Sequence, residues 1–405
     1  MLTYIYRHFD LQVGVTSLLL AGVGVISIYS ATFDAHAMGI FNRQLLWLLG
    51  GTILLVIMAL LPLRLLQSLS WAAYFFSIFL LVSVLVLGKT VSGSTSWFNL
   101  GAFRIQPSEF AKITTVLALA SYLSRVDISL RTPRHLLTAS GIVVIPVALI
   151  LLQPDFGTTV IYAGMFFAVL FWGGASRFTL LAVVAPIASA VAALFGTTFF
   201  LIAVAVIGVL IYITKEHRLV AAAVFSVMVL FGISVQVIYD GLKPYQQKRI
   251  ETFLNPNADP LGAGYNSLQS KVAIGSGGFL GKGYLRGSQT QLNFIPEQWT
   301  DFIFCVPGEE FGFLGAGAVL ILFAVLLVRG VTLASIVKSR YASFVAVGLT
   351  AIIATHVFLN IGMALGLLPV IGVPLPFLSY GGSALISSTM MIGILMNLYT
   401  NRKEY

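Results

Sequence analysis

Long apolar runs separated by short polar stretches set the rhythm of this chain. Runs of about 17 residues or more, the least that crosses a bilayer as a helix, fall near 11–30, 44–62, 70–88, 107–124, 136–152, 157–174, 178–195, 198–214, 219–239, 311–329, 341–364 and 381–398. This pattern predicts an all-α polytopic membrane bundle of about twelve spanning helices, with both termini on one side. The first run follows Arg7 and is longer than the core of a signal sequence, so it reads as a retained helix, although Ala35-His36-Ala37 faintly resembles a cleavage site. The tight turn at Gly196-Thr197 separates the seventh and eighth runs. One stretch breaks the rhythm: residues 240–310 are polar and glycine-rich. No internal repeat or linker divides the chain, so a single membrane domain over 1–405 carries 240–310 as one large extracytoplasmic loop.

Composition strengthens the membrane assignment. Of 405 residues, 58% are hydrophobic and 9% charged, and the mean hydropathy is +0.97. A soluble core of this size would need far more surface charge. The net charge of +9 does not mark a nucleic-acid binder, because the basic residues sit in short clusters between apolar runs. With the N-terminus inside, the inner segments hold 13 basic residues, Arg64, Arg125, Arg177, Arg329 and Arg402 among them; the short outer loops hold three, Arg43, Lys89 and Arg104. The positive-inside rule then places both termini in the cytoplasm and 240–310 outside. The single cysteine, Cys305, forms no internal disulfide.

Four polar constellations stand out. In Gln106-Pro107-Ser108-Glu109, Pro107 suits a first helical turn and Ser108 can cap it; Glu109 and Lys112, three apart, share a face and can pair. Charges at membrane depth face a bundle interior or a watery cavity, as a structural ion pair or a functional one. Asp155, in Gln153-Pro154-Asp155, reads as a helix cap, a partner for a cation or a substrate contact. Gly275, Gly277, Gly278, Gly281 and Gly283 form a run whose amides could approach phosphate oxygens, with Lys271, Lys282 and Arg286 inside it and Lys243, Lys248 and Arg249 upstream. Asp301 stands where the loop meets the apolar run Phe302-Ile303-Phe304. Partial desolvation there raises a carboxylate's pKa and suits it to act as a base, and a helix cap is the plainer alternative. The segment 366–383, rich in proline and glycine, predicts irregular backbone lining the same cavity.

Taken together, QPSEFAK (106–112), QPDFGT (153–158), YQQKRI (245–250), DPLGAGYNSLQSKVAIGSGGFLGKG (259–283), PEQWTDFIF (296–304), EEFGFLG (309–315) and LPVIGVPLPFLSYGGS (368–383) resemble the SEDS family (shape, elongation, division and sporulation), and its elongation branch more than its division branch. The resemblance runs in order through most of the chain. It implies a peptidoglycan glycosyltransferase that polymerises lipid II on the outer face of the bacterial cytoplasmic membrane. It also implies a class B penicillin-binding transpeptidase and the elongation machinery as partners. The family's essential carboxylate falls on Asp301, its paired charges on Glu109 and Lys112, and its QPD aspartate on Asp155. Candidate substrate contacts are Arg249, Gln269, Ser270, Lys271, Lys282, Glu297 and Ser379. Three departures stand out: twelve spans where the family usually has ten, with three helices over 178–239 in place of one; Trp299 where relatives often carry His; and no basic residue before Trp97.

The chemistry expected is a single displacement. Asp301 takes the proton from the acceptor 4-hydroxyl, which attacks C1 of a donor glycan carried on polyprenyl pyrophosphate. Asp301 could instead hold a divalent cation, Mg or Mn, and the residues leave that choice open. A lipid II flippase and a non-enzymatic scaffold for a transpeptidase are the rival readings.

Overall fold

In a computed structural model, the structure describes residues 10–403 apart from 36, 92–93, 102, 215–217, 243, 255–264 and 297. Helices cover every predicted span: α1 (Leu11–Phe33), α2 (Met38–Leu60), α3 (Leu63–Leu87), α4 (Pro107–Leu123), α5 (Pro133–Leu152), α6 (Phe156–Trp172), α7 (Arg177–Leu194), α8 (Thr197–Ile213) and α9 (Arg218–Asp240). The region 240–310 adds α10 (Pro244–Leu254), α11 (Tyr265–Ser276), α12 (Ser288–Gln291) and α13 (Cys305–Glu310), and the chain closes with α14 (Gly312–Ile336), α15 (Arg340–Ala364) and α16 (Gly382–Thr400). Among the described residues nine helices are long and apolar enough to cross a membrane, and α6 and α8 are shorter apolar helices. The chain is a multi-pass membrane protein.

Local chemistry sets the helix ends. Asp10 caps α1 by accepting the amide of Val13 at 3.3 Å, and Ser176 caps α7 by accepting that of Thr179 at 3.0 Å. Pro62 starts α3 directly, so the helix includes Arg64 and Gln67, which an apolar run over 70–88 leaves out. Residues 89–105 form a small antiparallel sheet, β1 (Lys89–Val91), β2 (Ser94–Leu100) and β3 (Phe103–Ile105), in the order β1-β2-β3. Phe98 pairs with Ile105 and Leu100 with Phe103. Strands this short are hidden from apolar-run counting. The sheet is tied to the α5–α6 turn, where Ser94 Oγ donates to the Gln153 carbonyl at 2.6 Å.

The core gathers around α15, which is buried over 72% of its most apolar window, against 11% for α9. It packs on α4, α6 and α14. Glycines bring the helices close: a Cβ on Gly348 would lie 2.6 Å from Val116 Cγ1 of α4, and one on Gly164 of α6 would run into Thr355. α16 packs along α2, where buried Asn397 donates to the Met58 and Ala59 carbonyls at 3.1 and 3.2 Å and also reaches Leu61. These contacts satisfy carbonyls that the end of α2 leaves open.

Helices α7–α9 stand apart with a small core of their own, Phe178, Ala185, Ile207, Ile211 and Met228. They occupy 178–239, where the apolar runs predict three helices. At one end of the bundle, Arg329 Nε of α14 lies 2.7 Å from Asp10 Oδ2, and Arg329 and Arg402 sit over the Tyr399 ring at 5.3 and 3.9 Å. The start of α1 and the end of α16 therefore meet at one end of the bundle, whereas Gln298, close to Asp301 in the chain, is bonded to Ala31 at the other end of α1.

Candidate active site

Asp301 lies in a run of turns over 298–304, four residues before α13 begins, so it does not cap a long helix. Asp301 is half-buried, whereas Phe302, Ile303, Phe304 and Cys305 behind it are buried. The apolar run acts as a plug that sinks into the bundle and leaves the carboxylate at the rim. In front of it lies the irregular segment 366–381. Gly372 in that segment has φ +71°, and a Cβ there would stand 3.4 Å from Asp301 Oδ2, so the backbone passes close over the carboxylate.

Three hydrogen bonds fasten this turn, two to that segment and one to α15. Ser379 Oγ donates to the Thr300 carbonyl at 2.6 Å, the Tyr380 amide donates to the Trp299 carbonyl at 2.7 Å, and Asn360 Nδ2 of α15 donates to the Asp301 carbonyl at 2.8 Å. Ser379, expected to touch substrate, is buried, and its oxygen also accepts the Leu375 amide at 2.7 Å. Trp299 thus enters the site through its backbone carbonyl.

Glu109 and Lys112 pair as their spacing predicts, at 2.8 Å and fully buried. Two further residues complete the cluster: Ser387 Oγ of α16 donates to Glu109 Oε2 at 2.7 Å, and Lys112 Nζ lies 2.8 Å from His356 Nε2 of α15. Ser108, expected to cap α4, sits one residue inside the helix because Pro107 takes the first position and Gln106 the cap. Asp155 caps α6: Oδ1 accepts the Thr158 amide at 3.1 Å, and Oδ2 accepts Thr158 Oγ1 at 2.9 Å and Gln106 Nε2 at 3.0 Å. That last bond joins the starts of α4 and α6.

The glycine-rich run folds differently from a phosphate cradle. The amides of Lys282 and Gly283 donate to the Glu309 and Glu310 carbonyls at 3.1 and 3.0 Å, and that of Gly281 donates to Gly277 at 2.9 Å. Lys282 Nζ is bound to Glu309 Oε1 at 2.7 Å. Glu309 also accepts the amides of Gln289 and Thr290, both at 2.9 Å, and Thr290 Oγ1 at 2.7 Å. Burial pushes the Glu309 carboxyl up, but Lys282 and these donors outweigh it and hold the group below the usual carboxylate range. Glu310 is the reverse case: burial raises it, and its bonds from Ser30, Gln291 and the Leu285 amide offset this only in part. Gln291 and Gln298 reach from this region to Ser30 Oγ and the Ala31 carbonyl, both at 2.8 Å, and so bind it to the end of α1.

On α11, Ser270 Oγ donates to the Ala364 carbonyl at 2.6 Å, which docks the helix on the end of α15. Lys271, on the exposed side, lies against Gly366 where the irregular segment begins. Gln269 is half-buried on the same helix. Arg249 lies on α10, and Glu297 falls outside the described residues. Sequence reasoning missed His356, Asn360, Ser387 and Glu309. The first two carry a legible signal, since polar residues four apart inside a spanning helix share one face and mark function by default.

No group of three or more His, Cys, Asp or Glu among the described residues could hold a metal ion.

The family described as "Cell cycle protein", comprising FtsW, RodA and SpoVE, matches residues 11–201 and 178–404. The two matches overlap over 178–201, which covers α7 and the start of α8. The peptidoglycan glycosyltransferase MrdB of Escherichia coli strain K12 is 36% identical over 98% of this chain and 95% of its own length. The peptidoglycan glycosyltransferase RodA of Treponema pallidum strain Nichols is 34% identical over 96% and 97%. A chain from a structure described as "Structural coordination of polymerization and crosslinking by a peptidoglycan synthase complex" superposes with a TM-score of 0.74 at 27% identity, covering 98% of this chain and 99% of that one. With matches running from its first helix to its last, this chain belongs to the FtsW/RodA/SpoVE family.

Proposed function

We propose that this protein is a peptidoglycan glycosyltransferase that polymerises lipid II at the outer face of the cytoplasmic membrane for cell elongation, with Asp301 as its base. The observation that carries the assignment of the site is the placement of Asp301: a half-buried carboxylate on a turn whose backbone is fastened to α15 and to the segment lining the same rim. Relatives named as peptidoglycan glycosyltransferases, matched over nearly their whole length, support the activity.

The reaction needs one base. The growing glycan, carried on polyprenyl pyrophosphate, is the donor, and an incoming lipid II is the acceptor. Asp301 removes the proton of the acceptor 4-hydroxyl as that oxygen bonds to C1 of the donor. The C1–oxygen bond to pyrophosphate breaks on the opposite face, so an α-linkage becomes β-1,4 and pyrophosphate leaves with its bonding electrons. Lys271 and Arg249 are the basic side chains proposed to meet the pyrophosphate, since Lys282 is already paired with Glu309. A divalent cation, where one is bound, would neutralise charge on the leaving pyrophosphate, with Asp301 as its protein ligand. The protein's own contribution is to place the carboxylate and anchor the segment beside it. A class B penicillin-binding transpeptidase is the proposed partner, in keeping with the polymerising and crosslinking complex that the fold resembles.

A lipid II flippase remains the second reading, favoured by the buried Glu109–Lys112–His356 cluster, which suits a carrier. Purified protein given lipid II in detergent, with and without divalent cation, separates the two. Glycan chains on a gel are expected from the wild type, and Asp301→Asn should lower polymer formation about 10²–10⁴-fold with its elution profile unchanged. Full activity in Asp301→Asn would refute the base assignment. Transbilayer movement of labelled lipid without polymer would favour the flippase.

A further inference from the structure

His356 and Asn360 occupy one face of α15, four residues apart, and both reach the irregular segment that faces Asp301. Asn360 is fully buried, and its Nδ2 donates to two carbonyls at 2.8 Å each, those of Asp301 and Val373. Two N–H bonds meeting two carbonyls assign the amide orientation without ambiguity. His356 Nδ1 lies 3.0 Å from the Pro374 carbonyl, and its Nε2 lies 2.8 Å from Lys112 Nζ. A carbonyl only accepts and an ammonium only donates, so the partners assign a neutral imidazole with its proton on Nδ1. Lys112, itself held by Glu109 at 2.8 Å, presents an N–H to the ring and fixes that tautomer.

We propose that His356 and Asn360 are positioning residues for the transfer reaction. Asn360 clamps the Asp301 turn to the segment at Val373, and His356, kept in one tautomer by the Glu109–Lys112 pair, pins the next residue, Pro374, to the same helix. The buried charges thereby act on the reaction through the backbone around Asp301. The inference rests on the glycosyltransferase reading above and adds to it the route by which α4 and α15 influence the site.

The test uses three variants of the full chain in the lipid II polymerisation assay, with initial rates per folded molecule resolved into kcat and KM. In His356→Asn the amide nitrogen ends where Nδ1 lies, so the donor to Pro374 is kept and the contact with Lys112 is lost. In His356→Gln the amide reaches the Nε2 position, so the contact with Lys112 is kept and the clamp is lost. His356→Asn should retain kcat near that of the wild type, while His356→Gln and Asn360→Ala should lose about 10-fold or more in kcat, since misplacement by an ångström costs up to about 10²-fold, at little changed KM. Equal loss in both His356 variants, or full kcat in His356→Gln and Asn360→Ala, would overturn the proposal. If the His356 variants fail to fold, Asn360→Ala decides alone, and loss of folding in all three assigns these residues a purely structural role against it. Wild type and Asp301→Asn run on the same gel: polymer from Asp301→Asn defeats the reading of the site itself, whereas a silent Asp301→Asn beside fully active clamp variants defeats only the positioning.

Discussion

Around Asp301 the backbone is fastened at three successive residues, Trp299, Thr300 and Asp301, each through its carbonyl. A carboxylate on a backbone fixed in this way loses little to wandering. The buried pair on α4 obeys a different rule. Removing one partner of a buried ion pair leaves a charge uncompensated, which costs about 3–5 kcal/mol. Lys112→Met leaves Glu109 with Ser387 as its remaining described donor, and a marked fall in melting temperature in detergent is expected. Adding Glu109→Gln should recover part of it, and a double-mutant cycle measures the coupling. The pair was legible from its spacing, and Asp301 from its place at a polar-to-apolar boundary. Their partners were not, because His356 lies 244 positions from Lys112 and Ser387 lies 278 from Glu109. No local pattern spans such a distance.

Elements tell a similar story. Spanning helices announce themselves because each must bury its own backbone in hydrocarbon and carry apolar side chains along its length. The sheet over 89–105 and the folding of 240–310 into α10–α13 were not visible in that way, since their residues answer to contacts rather than to lipid. Lys282 shows the cost of reading a loop without its partners: it looks available for phosphate, yet Glu309, 27 residues later, takes it. This link makes a pH prediction. The Glu309 carboxyl in the folded protein lies below its unfolded value, about 4.3, so its contribution is complete above that value and is lost as pH falls through the lower folded one. The melting temperature of the wild type should exceed that of Glu309→Gln by a constant margin at neutral pH, and the margin should close only at pH below about 4. A margin that vanished near pH 6 would assign the linkage to another group.

For the molecule as a whole, orientation is the quantity to measure. Asp301 and the cluster of Asp10, Arg329, Tyr399 and Arg402 mark opposite ends of the bundle. A cysteine in place of Asp301 should react with an impermeant maleimide added to intact cells, and one in place of Lys403 only after permeabilisation. The native Cys305 is fully buried and should stay silent. Reversed labelling would place the carboxylate beside the wrong pool of substrate. Helices α7–α9, three as the apolar runs over 178–239 predict, share a small core of their own. Where those helices pack was not legible, because one apolar stripe on a spanning helix resembles another.

The glycine contacts along α15 have a consequence for how a strand could lengthen. Val116 of α4 meets the bare backbone of α15 at Gly348, and Thr355 of α15 meets that of α6 at Gly164, so these helices interlock at close range. Each round of addition must nevertheless advance the product by one repeat and admit a new precursor. On the glycosyltransferase reading, helices interlocked this closely leave that advance to the sugar chain and its lipid rather than to α15.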